Sequence, residues 1–274
     1  MIIRSFISIS INSISKALSY IFVIFCINSY AGTTQLQIAT QHFPPLQSRE
    51  LNGQSGYVHQ LMQEAIKRVN KIYPINIKSY NFLPWKRALI RAKSMPNVLF
   101  YSLSRTPQRE SQYQWLGKVS IYQKSLFKLK SKRFDVTSLK QLKTKNLRLS
   151  VQNGGATHSY LDNLGLELNK DFRTYIKYPQ GIKQLFSDRV DLIPLNPLTA
   201  KNSACKLGLD GEQLVAAFSI EELSKPLWAV LSNGTDPILV ELFRTAIEKI
   251  HSEGLSSHYY KEHMADWNTQ PCKI

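Results

Sequence analysis

Val98-Leu99-Phe100-Tyr101-Ser102-Leu103-Ser104-Arg105-Thr106-Pro107-Gln108-Arg109-Glu110 opens on four apolar residues and carries two guanidinium groups at its far end. The apolar run reads as a buried strand, and the hydroxyls, the Thr-Pro turn and the arginines follow where it ends. Hydroxyls and free backbone N–H groups solvate the oxygens of a small anion, and arginine offers a planar two-pronged donor matched to a carboxylate. The same residues also fit an ordinary charged loop after a strand.

Upstream, the chain alternates strand-like and helix-like segments. Leu36 to Thr40 reads as a strand, and Val58, Leu61, Met62, Ala65, Ile66 and Val69 form a helical stripe. Ile75 to Tyr80 is strand-like again, and Pro84 opens a helix through Trp85, Ala88, Leu89 and Ala92. With Val98 to Ser102 this gives a βαβαβ order, which implies a parallel sheet with helices on its faces. Downstream, Leu147–Val151 reads as a strand, Asn153–Thr157 as a Gly-rich turn, and His158–Leu164 as the start of a helix. Phe172–Tyr178 is strand-like, Gly181–Ser187 helical, and Val190–Leu195 a strand. Leu227–Leu231 reads as a strand, and Asp236 caps a helix with Pro237 at its first position and Gly254 at its end. Two βα lobes without a floppy linker suggest a hinged pair with a cleft between them.

The first 31 residues read as a secretory signal peptide. Arg4 and Lys16 are their only charges, Ile21–Ile27 is a short apolar core, and Ser29-Tyr30-Ala31 supplies small residues at the cleavage site. The apolar run falls short of the roughly 20 residues a membrane span needs. Bulky Phe25 before Cys26 argues against lipidation. Cleavage after Ala31 lowers the formal net charge from +16 to +14. The product is expected in the periplasm.

A basic exported protein suggests nucleic acid, an anionic surface or an anionic ligand as partner. The densest basic patch, Lys124 to Lys145, has few aromatics at stacking distance, so nucleic acid is not expected and a solvated basic face is. Cys205 and Cys272 remain after processing and are expected to form a disulfide in an oxidising compartment. No Cys/His spacing suggests a metal site, and no cofactor is expected.

An ordered set of markers resembles the bacterial extracellular solute-binding proteins of family 3, the polar amino-acid-type periplasmic binding proteins of type II. The markers are Phe43-Pro44-Pro45, Gly56-Tyr57, Ser102-x-Ser104-x-Thr106-x-x-Arg109, a hinge-like Trp115-Leu116-Gly117, Val151 through Gly154, and Asp191. Pro84-Trp85-Lys86-Arg87-Ala88-Leu89 together with Arg105-Thr106-Pro107-x-Arg109-Glu110 resembles a PWxRA/RTPxRE subgroup. The resemblance implies an α/β, two-lobe periplasmic binding protein type II fold. Each lobe would be a βα sheet with flanking helices, with the ligand cleft between lobes. The first lobe would comprise residues 32–121 plus 218–274, and the second 122–217.

The implied function is capture of a small, amino acid-like carboxylate ligand for a membrane ABC permease or a sensor protein, as a monomer. Residue by residue, the resemblance gives Ser102, Ser104 and Arg109 to the ligand carboxylate, and Phe43 and Trp85 to apolar contacts. A salt bridge of Arg109 with Glu110 or Asp191, and a core role for Trp85, are the alternatives. Gly154 and Gly155 would offer backbone N–H groups at the second-lobe helix, with the hydroxyl displaced to Thr157. Asn196 stands where an acid normally grips the α-ammonium, which weakens the case for an ordinary L-amino acid. The competing functions are an enzyme on this scaffold, such as a cyclic amino-acid precursor dehydratase, and a non-binding adaptor. An enzyme would need a cleft acid or base, with His42, Glu110, His158 and Asp191 as candidates.

Overall fold

The computed structural model describes residues 33–50 and 53–269. The proposed signal peptide and Cys272 lie outside the described residues.

The first lobe begins with β1 (Thr34–Thr40), a hairpin of β2 (Ser48–Glu50) and β3 (Gly53–Ser55), then α1 (Tyr57–Asn70), β4 (Ile75–Phe82), α2 (Trp85–Ser94) and β5 (Val98–Ser104). A 3-10 turn over Pro107–Gln112 leads into β6 (Tyr113–Ser120). The second lobe contains β7 (Ser125–Leu129), α3 (Gln141–Thr144), β8 (Leu149–Gln152), α4 (Ala156–Asn163), β9 (Phe172–Tyr175), α5 (Tyr178–Phe186), β10 (Ile193–Leu195), α6 (Ala200–Cys205) and β11 (Leu214–Ser219). The chain then returns to the first lobe with β12 (Leu227–Ser232), α7 (Pro237–Ser252) and α8 (Leu255–Thr269).

The first-lobe sheet has the order β4-β1-β5-β12-β6. Its first three strands are parallel, as the βαβαβ order requires. The other two depart from the parallel expectation: β12 is antiparallel to both β5 and β6. Strand β12 arrives after the excursion through the second lobe, so no crossover helix dictates its direction. The buried face of α1 is the stripe of Val58, Leu61, Met62, Ala65, Ile66 and Val69, joined by Tyr57. Helix α7 buries Leu239, Val240, Phe243, Ala246, Ile247 and Ile250 against the same core, and Asp236 caps it by accepting the Ile238 N–H at 2.9 Å.

The second lobe holds an antiparallel sheet of order β10-β7-β11 and a parallel pair β8-β9, linked by a bridge between Leu149 and Leu192. Trp115-Leu116-Gly117 is not a hinge. These residues sit inside β6, paired with β12, and Gly117 lets the strand approach Ile247, whose Cγ2 would lie 2.6 Å from an added Cβ. Strand β6 ends at Ser120 and strand β11 at Ser219.

Candidate functional site

The two lobes meet over a cavity of about 50 Å³. That exceeds the ~10–15 Å³ one water requires, so the cavity holds a few small groups.

The first-lobe wall includes Gln41, Phe43, Trp85, Ser102 and Ser104. Phe43 is held by a tight turn in which its N–H donates to the Gln47 carbonyl at 2.8 Å. Its ring packs against Tyr122 and Tyr178, with centroids 5.9 and 5.2 Å away. Trp85 is the first residue of α2, directly after Pro84. It is both core and wall, because its indole packs on Phe100 at 5.2 Å while its Nε1 crosses the cleft to donate to the Gly154 carbonyl at 3.0 Å. Ser102 has a φ of +64°, at the shift in register between β5 and β12. A bulge of this kind re-aims a side chain out of the strand pattern. The Ser102 hydroxyl donates to Gln47 Oε1 at 2.7 Å.

Arg109 is buried on the 3-10 turn, and neither it nor Gly154 is among the cavity-lining residues. It is paired with neither Glu110 nor Asp191. Its Nη1 donates to the Ser104 carbonyl at 3.1 Å and its Nη2 to the Gly154 carbonyl at 3.0 Å, so one guanidinium ties the two lobes together. Glu110 instead receives two bonds from Arg105, whose guanidinium lies 5.0 and 4.7 Å from the Trp115 and Trp228 rings. Asp191 is gripped by Arg148 at 2.9 Å and by Lys132 at 3.3 Å.

On the second-lobe side, Gly154 takes a φ of +69°, a conformation glycine adopts without strain. Gly155, Ala156 and Thr157 line the cavity at the start of α4, but the Gly154 and Gly155 N–H groups expected to face a ligand are already given to His158 Nδ1 and to the Gln152 carbonyl at 2.9 Å, leaving the first N–H groups of the helix itself without an intrahelical acceptor. Gln152 Nε2 reaches across to Gln41 Oε1 at 2.7 Å. Asn196 is buried but is not among the cavity-lining residues. Its Oδ1 accepts the Leu198 N–H at 3.0 Å and its carbonyl accepts the Thr199 and Ala200 N–H groups, so it shapes the turn into α6.

Lys124 is the feature the sequence reading missed. It is not part of a solvated face. It lines the cavity, and its Nζ donates to Thr157 Oγ1 at 3.1 Å and lies 5.4 Å from the Tyr122 ring centroid. Burial, reinforced by the like charge of Arg109, lowers its pKa to about 8. Among the described residues, neither Lys124 nor Arg109 has a carboxylate within ion-pair distance. The signal available in the sequence was position: Lys124 immediately precedes the buried Ser125-Leu126-Phe127 of β7. Lys130, Arg133, Lys140, Lys143 and Lys145 of the same patch are exposed, as expected. Tyr122, Tyr175 and Tyr178 complete the wall, and burial raises all three phenol pKa values, so they act as neutral hydrogen-bonding groups.

None of His42, Glu110, His158 and Asp191 lines this cavity. His158 Nδ1 instead accepts the Gly154 N–H at 3.1 Å. Among the described residues no group of three or more His, Cys, Asp or Glu is placed to hold a metal ion. Cys205 is buried at the end of α6.

No family model matches the chain. No curated protein matches it either. Solved structures do match over most of its length. A histidine kinase sensor domain with similarity to periplasmic binding proteins has a TM-score of 0.70 at 14% identity, covering 84% of this chain and 96% of its own. An amino acid ABC transporter substrate-binding protein from Streptococcus pneumoniae, bound to L-arginine, has a TM-score of 0.69 at 16% identity, covering 86% and 97%. An ancestral amino acid-binding protein, a precursor of cyclohexadienyl dehydratase, has a TM-score of 0.64 at 14% identity, covering 84% and 95%. The fold is therefore the mixed α/β, two-lobe fold of the type II periplasmic binding proteins, and the chain is structurally similar to their amino-acid-binding members.

Proposed function

We propose that this protein is an exported solute-binding protein that captures a small carboxylate-bearing ligand between its lobes. It would deliver that ligand to an ABC permease or present it to a membrane sensor. The observation that carries the reading is the pair of cations at the lobe junction, half-buried Lys124 and buried Arg109, with no carboxylate partner among the described residues. A buried charge without a counter-charge is costly, and a bound anion offsets that cost. In this reading Phe43 and Trp85 pack on the ligand's apolar part, Ser102 and Ser104 take its polar atoms, and Gly154 and Gly155 frame the start of α4. Arg109 acts on the bound state as a latch between Ser104 and Gly154, and Asn196 supports the second-lobe wall from behind.

The proposal includes a signal peptide cleaved after Ala31, release into the periplasm and a monomeric product. It also includes lobe limits at 32–121 plus 220–274 and 122–219, the return falling two residues beyond the expected 217 because Phe218 and Ser219 pair with Leu126 and Ser125 of β7, and a Cys205–Cys272 bridge tying the C-terminal tail to α6. N-terminal sequencing and intact mass before and after reduction check the cleavage and the bridge.

The deciding experiment is a thermal-shift panel of amino acids, short peptides and organic acids on the processed chain. At least one compound should raise the Tm, and Arg109→Ala should remove that rise. A rise that survives the substitution overturns the site assignment, and a silent panel overturns the function.

A further inference from the structure

We propose that the ligand of this cavity is a small organic-acid anion that carries no charged amine, with its carboxylate seated between Lys124 Nζ, Thr157 Oγ1 and the first turn of α4. This rests on the solute-binding reading above and names the class of solute.

No Asp or Glu lines the cavity, and its one charged lining residue is Lys124. The like charge of Arg109 also acts on that ammonium. The nearby acids named as candidates are already committed, Glu110 to Arg105 and Asp191 to Arg148 and Lys132. A zwitterionic amino acid would therefore bring its ammonium into a site with two cations and no carboxylate. Aromatic faces can hold a cation in place of an acid. Here the Trp85 face already has Arg109 at 6.0 Å and the Tyr122 face has Lys124 at 5.4 Å.

The neutral acceptors are also partly committed. Gln41 Oε1 accepts from Gln152, the Ser104 carbonyl accepts from Arg109, and the Gly154 carbonyl accepts from both Arg109 and Trp85. An anion meets the opposite situation. Lys124 is a compact donor with further N–H groups beyond the one given to Thr157, and the helix start adds backbone donors and a favourable dipole. Phe43, Trp85 and the tyrosines give the rest of the ligand an aromatic-lined apolar enclosure.

The test compares acids matched in size that differ in the charged amine: L-proline with L-pyroglutamate, L-aspartate with succinate, and L-phenylalanine with 3-phenylpropionate. Any compound that raises the Tm in the panel is paired in the same way. Isothermal titration at pH 7 should show the amine-free member binding about tenfold or more tightly in the pair that fits, a difference readily resolved as a change in Kd. Lys124→Met should weaken that binding about tenfold or more, while Lys124→Arg, which keeps the charge, should retain most of it. At pH 8.5, where part of the Lys124 population is neutral, binding should take up protons, read from the buffer dependence of the heat. Tighter binding of the amino acid in the fitting pair overturns the ligand class but leaves the solute-binding function standing. Equal binding by the native protein and Lys124→Met overturns the carboxylate position. Silence of every pair together with a silent panel overturns both readings.

Discussion

Trp85 and Gly154 belong to different lobes, and the indole Nε1 of the first donates to the carbonyl of the second at 3.0 Å. The same carbonyl accepts from Arg109 Nη2 at 3.0 Å, so two first-lobe side chains converge on one backbone atom of the second lobe. Closure thus depends on that carbonyl pointing outward, which the +69° φ of Gly154 permits.

Trp85→Phe should keep most of the packing on Phe100 and remove the bond to Gly154. A neutral hydrogen bond contributes about 0.5–1.5 kcal/mol, so ligand affinity should fall roughly two- to tenfold through weaker closure. Titration calorimetry reads the affinity, and small-angle scattering of the ligand-free protein should show a larger radius.

Arg109→Lys should be nearly as damaging as Arg109→Ala. An ammonium has the charge but cannot fork between the Ser104 and Gly154 carbonyls, which are fixed by separate lobes. Hydrogen bonds from charged groups contribute about 1.5–3 kcal/mol, so a tenfold or greater loss of affinity is expected from either variant.

Lys124→Met should stabilise the ligand-free protein at neutral pH. The folded-state pKa of about 8 lies below the 10.5 of a free lysine side chain, so the unfolded chain binds more protons between these limits. Stability from this group is therefore absent below pH 8 and grows as pH rises toward 10.5. At pH 7 the native chain carries the cost of a half-buried, unpaired ammonium, and the variant should gain about 1–2 kcal/mol in urea unfolding, with the gain vanishing near pH 10.5. Loss of ligand binding alongside a gain in stability would mark a functional rather than a structural residue.

Acid should weaken the first lobe. Burial, together with the positive charge His263 can carry, lowers the pKa of His59 from 6.5 to about 4, and its Nδ1 is 2.7 Å from Tyr80 Oη. The unfolded chain protonates this histidine first, so its contribution is complete above pH 6.5 and lost as pH falls toward 4. The Tm of His59→Gln should change less over that window than that of the native chain.

Gly181→Ala should act on the cavity from behind. An added Cβ would sit 2.5 Å from Tyr175 Cε1, and the ring lines the cavity. Overpacking costs about 1–3 kcal/mol, and displacement of the ring should lower ligand affinity as well. Chemical unfolding and calorimetry on the same sample separate the two effects.

Local patterning accounts for what was legible in the sequence. The stripe in α1, the Asp236 cap of α7 and the alternation of strands and helices each follow from spacing that a single element sets for itself. Strands β6, β7 and β11 gave no comparable signal, since their hydrophobic residues make sense only once a neighbouring strand covers them. Helix α8 is mostly polar, buries only Met264 and Trp267, and is recognisable chiefly by its packing against the first-lobe core. The strand-like pattern of Phe172–Tyr178 stops short of its end: Tyr178 starts α5, where Gln180 Oε1 accepts the Ile176 and Lys177 N–H groups.

By itself the sequence determined a two-lobed α/β chain with an anion-friendly loop after β5, because hydrophobic periodicity and turn chemistry are properties of adjacent residues. Only the tertiary structure decided where the charges go. It turned Ser102 toward Gln47 through a positive φ, drew Arg109 onto carbonyls of both lobes, and moved Lys124 from a basic run into the cavity. Burial and the absence of a nearby acid arise from segments far apart in the chain, and those two quantities make a lysine an anion site rather than a solvated surface charge.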